Sequence, residues 1–181
     1  GPGQVVNSNA YTLAAAVTEA GGAPLLLPIA RDRRDEIRAA LAEAARADVV
    51  LSSGGVSVGD FDFVKEELDA LGVERRFWRV AQKPGKPLTF GRREHTLFFG
   101  LPGNPVSALV CFHVYVRPAL RKLAGHSALH LPLVDATLTH DTRTAASLTE
   151  FVRVQLHRRD DGWAATPLKS QSSGALSAMS A

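Results

Sequence analysis

The chain has 181 residues, 45% of them hydrophobic, and a formal net charge of +3, which suits one ordinary core-burying domain or one domain and part of a second. So small a charge, with its basic residues scattered, gives little support for a nucleic-acid or membrane partner; an acidic substrate needs only a local basic pocket. The single cysteine, Cys111, excludes an internal disulfide and a cysteine-cluster metal site, no run approaches the roughly 20 apolar residues of a membrane span, and the start lacks a basic-then-apolar signal, so a cytoplasmic location is expected.

Residues 8–20, SNAYTLAAAVTEA, lie between a Ser/Asn start and Gly21-Gly22 and predict a helix. APLLLPI, residues 23–29, suits a buried strand. Asp32 is placed to cap the next helix, in which Ile37, Ala40, Leu41 and Ala44 share a face. DVVLSS, residues 48–53, reads as another buried strand, and the Gly-rich GGVSVGDFD leads into a short helix, FVKEELDALG. VERRFWRVA reads as a strand, QKPGKPL as a turn, and PLTFG and TLFFG as short strands. LPGNP then opens a long apolar helix from about residue 105 to residue 124, with Pro118 expected to kink or end it. Helices alternating with continuously apolar strands predict the α/β class, a mostly parallel sheet flanked by helices, over residues 1–126. The last third changes character: EFVRVQLH alternates with period two and Asp161-Gly162 signals a hairpin. Residues 127–181 are therefore expected to begin a small β domain, incomplete at its C-terminus. A start without Met and an end at GALSAMSA are what a piece of a longer protein would show, and a fragment is the expectation.

Three loops follow apparent strands, and open parallel sheets bind ligands beyond the carboxyl ends of their strands. In the first, Gly54 and Gly55 let main-chain N–H groups approach a ligand, and Ser52, Ser53 and Ser57 add hydroxyls. Its carboxylates, Asp60 and Asp62, have the chemistry to hold Mg²⁺ beside a phosphate; equally, Asp62 has the chemistry of a plain helix cap. The second is the lysine turn. Pro84 then Gly85 spell a type II turn, which brings the Cα atoms of Lys83 and Lys86 within about 7 Å. Two ammonium groups so placed repel unless an anion or a carboxylate lies between them; the plain alternative is a solvated basic loop. In the third, Asn104 suits an N-cap and Pro105 a first helical residue. Together the loops suit a phosphorylated or oxyanionic ligand with a metal. His126 and His130, spaced i, i+4 without a third ligand, read as surface residues.

SSGGVSVGDFDF, KPGKP and GLPGNPVSA, in this order and spacing, resemble the molybdopterin molybdenumtransferases, the gephyrin E-domain family. PGQVVNSN and EFVRV…QSSGALSAMS match its pattern too, so the resemblance covers essentially the whole chain. It implies insertion of molybdate into adenylylated molybdopterin with Mg²⁺ as cofactor, releasing AMP, by a homodimer with four domains per subunit. This chain would be most of the third, α/β domain and part of the fourth, β domain. Carried over residue by residue, Lys83, Lys86 and Pro87 match the molybdate-binding turn, and Ser173 a serine near the same anion. Gly54, Gly55, Ser57, Asp60 and Asp62 fall in the loop for nucleotide-pterin and metal, with Asp62 the Mg²⁺ residue; Pro102, Gly103 and Asn104 match the loop beside it, and Arg153 an arginine of the anion site. Asp62, Lys83 and Lys86 would carry the catalysis. Asp60 stands where the family usually has Glu, and Leu148 where an arginine is expected. The first strand of this domain would lie before Gly1. Two alternatives stay open: the molybdopterin adenylyltransferases of the same fold, which carry a Gly-Thr-Gly loop in place of GGVSVG, and a non-enzymatic scaffold or binding domain.

Overall fold

The computed structural model describes residues 7–54 and 63–171. The first helix, α1 (Ser8–Glu19), starts where Asn7 Oδ1 accepts from the Ala10 N–H and stops before Gly21, whose φ of +92° a side chain would resist. The segment expected as a buried strand, 23–29, forms none. Leu25 and Ile29 are 74% and 72% exposed; apolar character alone supplies no ladder, and no described strand pairs with this run. Helix α2 (Arg34–Ala44) is not capped by Asp32. Arg33 holds the N-cap position, while Asp35 and Glu36 place negative charge in the first turn, where the helix dipole favours it. Ile37 and Leu41 turn inward from α2, as their spacing predicts.

Strand β1 (Val49–Ser53) leads to the loop at 54, and α3 (Phe63–Ala70) follows. Then come β2 (Glu74–Trp78), the two-residue β3 (Gln82–Lys83), β4 (Thr89–Arg93) and β5 (Thr96–Leu101). The main sheet has the order β1-β5-β4-β2. Only β1 and β5 are parallel in it; β4 runs antiparallel to both β5 and β2. The described sheet is thus mixed where a mostly parallel one was expected. The reason is the connection: β4 and β5 meet across Glu94-His95, far too short for the crossover that parallel neighbours need. The α/β class, with helices on the sheet and a small β domain after it, holds.

Alternation along β5 sends adjacent phenylalanines to opposite faces. Phe99 joins Leu13, Ala16, Leu88, Leu101, Ala108 and Phe112 in one core cluster; Phe98 joins Ile37, Leu41, Val50, Leu68 and Val73 in the other. Helices α1 and α4 (Pro105–Cys111) therefore cover one face and α2 and α3 the other. Burial of a side chain such as Phe112 or Leu88 is worth about 1.5–3 kcal/mol, and both are fully enclosed.

After α4 the long helix does not break. It widens into one π-helical turn (Phe112–Val116) and continues as α5 (Arg117–Leu123). Pro118 sits inside α5 and ends nothing. It has no N–H to give the preceding turn, and the Arg117 N–H reaches five residues back to the Phe112 carbonyl.

The last part comprises β6 (Ala136–Leu138), β7 (Thr149–Glu150), β8 (Val154–Arg159) and β9 (Gly162–Pro167). The expected hairpin is β8–β9, closed at Asp160-Asp161 with Gly162 at φ +137°. β6 pairs parallel with β9, and β7 pairs parallel with β3, which ties this region to the lysine turn.

Candidate functional site

The strand register gathers the loops. Ser53 at the end of β1 is opposite Leu101 at the end of β5, and Thr89 at the start of β4 is opposite Gly100. Because β4 runs the other way, the turn before Thr89 leaves the sheet at the same edge as the loops after Ser53 and Leu101.

At that edge Gly54 takes φ +86° and its N–H donates to the Leu101 carbonyl at 3.1 Å. A Cβ on Gly103 would lie 3.5 Å from the Gly54 Cα, so the two loops run almost in contact. Gly55, Ser57, Asp60 and Asp62 fall in 55–62, outside the described residues, as does Ser173. Pro102 is buried and its carbonyl accepts from Ser53 Oγ at 3.3 Å. Asn104 holds the N-cap position of α4 in extended backbone, with Pro105 next, but its side chain makes no capping bond. Instead its Oδ1 is buried without a hydrogen-bond partner among the described residues. Buried acceptors of this kind are rare and ask for an explanation.

What clamps the loops together is Asn9, which belongs to none of the three loop motifs. Only 7% exposed, it donates through Nδ2 to Ser53 Oγ at 2.7 Å and to the Gly103 carbonyl at 2.9 Å. The signal lay in VNSN, where a second asparagine inside the first helical turn has no capping role to fill.

The lysine turn departs from a plain type II turn. Gly85 has the positive φ, +103°, but the Lys83–Pro84 peptide is cis. The Lys83 carbonyl accepts from the Phe151 N–H at 2.8 Å, and the loop is closed by Val80 N–H on the Lys86 carbonyl at 3.1 Å. Lys83 and Lys86 stay exposed and Pro87 half-buried, while Gly85 between them is buried. A carboxylate does sit beside one cation: Glu150 Oε2 is 3.8 Å from Lys83 Nζ. Its other oxygen accepts from the Ala145 N–H at 3.1 Å. Arg153, three residues on, donates through its guanidinium to the Ser170 carbonyl at 3.2 Å, and its backbone exchanges hydrogen bonds with the Gln171 side chain. It thereby anchors the segment that leads to Ser173. Leu148 is half-buried beside β7 and brings no charge there.

Beneath the turn lies a buried polar group. Gln82 Nε2 donates to the Pro84 carbonyl at 3.0 Å and lies 3.6 Å from Cys111 Sγ, and Gln82 Oε1 accepts from Tyr115 Oη. Burial pushes the Cys111 thiol up to about 12, which keeps it protonated, and raises the Tyr115 phenol as well. Among the described residues no three His, Cys, Asp or Glu side chains gather as a metal site.

Residues 1–122 match the family model of the probable molybdopterin binding domain, and residues 135–181 that of the MoeA C-terminal region (domain IV). A molybdopterin molybdenumtransferase of Nostoc sp. is 42% identical over 144 residues, 77% of this chain and 33% of that protein. Another, from Bacillus subtilis, is 35% identical over 179 residues, 98% of this chain and 42% of that protein. Among solved structures, the molybdopterin biosynthesis moeA protein from Pyrococcus horikosii superposes with a TM-score of 0.78 at 30% identity, covering 98% of this chain and 42% of its own. The chain spans less than half the length of these relatives. With loops, order and both regions in agreement, the chain belongs to the molybdopterin molybdenumtransferase family, as its molybdopterin-binding domain followed by the MoeA-type C-terminal region.

Proposed function

We propose that this chain supplies the substrate-holding edge of an enzyme that inserts molybdate into adenylylated molybdopterin and releases AMP. The observation that carries the proposal is the single sheet edge, where two close-packed glycine loops stand beside a turn bearing two exposed lysines. Molybdate is a compact dianion, and Lys83 and Lys86 offer it two ammonium groups on a turn fixed from both sides. The clamped loops at Gly54 and Pro102–Asn104 would take the pterin nucleotide through backbone N–H groups, and Asn104 Oδ1 would accept one of its donors. Arg153 and Ser173 complete the anion side, Pro87 stiffens the turn, and Gly55, Ser57 and Asp60 extend the first loop. Asp62 is proposed as the Mg²⁺ residue on its place in the chain, between Gly54 and α3. With no covalent step for the protein to supply, cleavage of the phosphoanhydride rests on neutralising charge and holding the two substrates in register. In the same proposal the whole protein acts as a cytoplasmic homodimer; no described helix is long and apolar enough to cross a membrane.

The test uses the full-length enzyme with Lys83→Ala and Lys86→Ala. Half-saturation by molybdate should rise at least about tenfold, the scale of one lost charge-assisted contact. The dissociation constant for the pterin nucleotide should move by less than about twofold. Equal losses for both ligands would remove the division of labour between turn and loops.

A further inference from the structure

The lysine turn rests on a side chain that has no business being polar unless something uses it. Gln82 is 2% exposed, and every part of its amide is occupied. Its Nε2 donates to the Pro84 carbonyl at 3.0 Å, between the two lysines, and its Oε1 accepts a hydrogen bond from the Tyr115 hydroxyl. Cys111, one helical step before Tyr115, lies 3.6 Å from the same Nε2 and 3.7 Å from the Gly85 carbonyl. Residues four apart on a helix share a face, and here both belong to the helix that starts at the pterin loop, at Pro105. The π turn spans Phe112–Val116 and so contains Tyr115. Such single π turns recur at functional positions.

We infer that Tyr115 and Gln82 are positioning residues for the oxyanion turn, a hydrogen-bonded strut that sets the placement of Lys83 and Lys86 relative to the loop at Pro102–Asn104. The inference rests on the proposed role of those lysines. An apolar pair would fill the same space, but it would leave the Pro84 carbonyl without its donor and the turn free to tilt. A second contact makes the strut a stop as well as a tie: a Cβ on Gly85 would stand 2.5 Å from both Gln82 Nε2 and Cys111 Sγ. The turn is therefore seated against the amide with no slack.

The experiment is a double-mutant cycle in the full-length enzyme, with Tyr115→Phe and Lys86→Ala alone and combined, reading half-saturation by molybdate and affinity for the pterin nucleotide. Tyr115→Phe removes one oxygen and leaves Gln82 Oε1 buried without a donor, so molybdate half-saturation should rise about five- to tenfold. Pterin-nucleotide affinity should stay near wild type, while the unfolding midpoint falls modestly because a buried acceptor has lost its donor. In the Lys86→Ala background the same change should shrink to about twofold, because it acts through the lysines. Gln82→Met keeps the length of the side chain and removes the donor to Pro84 without adding charge; it should reproduce the molybdate defect, which keeps the test decisive if Tyr115→Phe folds poorly. A Tyr115→Phe effect of the same factor in both backgrounds would mark a general structural role and overturn the inference. No effect of Tyr115→Phe or Gln82→Met, with Lys86→Ala still impaired for molybdate, would overturn it while leaving the proposed function standing. An unimpaired Lys86→Ala would bring down the proposed function, and the strut with it.

Discussion

Replacing Gly85 by alanine perturbs the turn at its tightest point. Two costs add there. A side chain at φ +103° sits in the left-handed region, at about 1–2 kcal/mol. The new methyl would also begin 2.5 Å from Cys111 Sγ and from Gln82 Nε2, and overpacking of a filled interior costs about 1–3 kcal/mol. The sum is about 2–5 kcal/mol, a large share of the roughly 5–15 kcal/mol that holds a domain folded. Gly125→Ala separates the two parts. Gly125 has φ +79° and nothing lies within 4 Å of where its methyl would stand, so it should lose only the backbone cost, about 1–2 kcal/mol. Urea denaturation of both variants gives the comparison directly. Cys111→Ala placed in the Gly85→Ala background should recover part of the difference by vacating the sulfur position. If Gly85→Ala and Gly125→Ala lose the same stability, the close packing of the turn on the helix is refuted.

Asn9→Ala should cost about 1–3 kcal/mol, because it leaves the Gly103 carbonyl and Ser53 without a part-buried donor; the exposed cap variant Asn7→Ala should cost about 0.5–1 kcal/mol. Denaturant midpoints rank the two, and the reverse order would remove the clamp. Glu67 is 2% exposed between α2 and α3, and the hydrogen bond from Arg38 holds its carboxyl below the ordinary 4.5. A depressed folded value contributes stability above the unfolded one and loses it as pH falls through the folded one. Urea midpoints should therefore fall below about pH 4.5, and the Glu67→Gln variant, weaker at neutral pH, should show a shallower acid decline; parallel curves would refute the pairing.

The fold was legible where periodicity and punctuation agree. The first helix shows its asparagine, its alanines and its double glycine, and β1 is a short apolar run with a Gly-rich exit. Strand direction was less accessible, since PLTFG and TLFFG carry no mark of pairing sense; the two-residue link at Glu94-His95 decided it. APLLLPI misled because apolar composition says what a segment would bury, not whether a ladder is there to join. Among site residues, charged and glycine-rich loops announce themselves, so Lys83, Lys86, Gly54 and Gly103 stand out from the sequence alone. Gln82 and Tyr115 do not, and Asn9 shows only as an asparagine with no cap to make, for a common reason. Each acts by facing another element far along the chain, and orientation across such distances is a property of packing that no local spacing records.

The parallel pairing of β3 with β7 has a consequence for the growing chain. The carbonyls of Ala81 and Lys83 find their donors in Thr149 and Phe151, which leave the ribosome well after the turn itself. At about 5–20 residues per second, the turn waits several seconds for those donors, although its sheet and covering helices have already been synthesised. The lysine turn is thus among the last parts of the α/β domain to set, and a nascent protein halted inside the C-terminal region would carry a formed sheet with an unfinished turn at its edge.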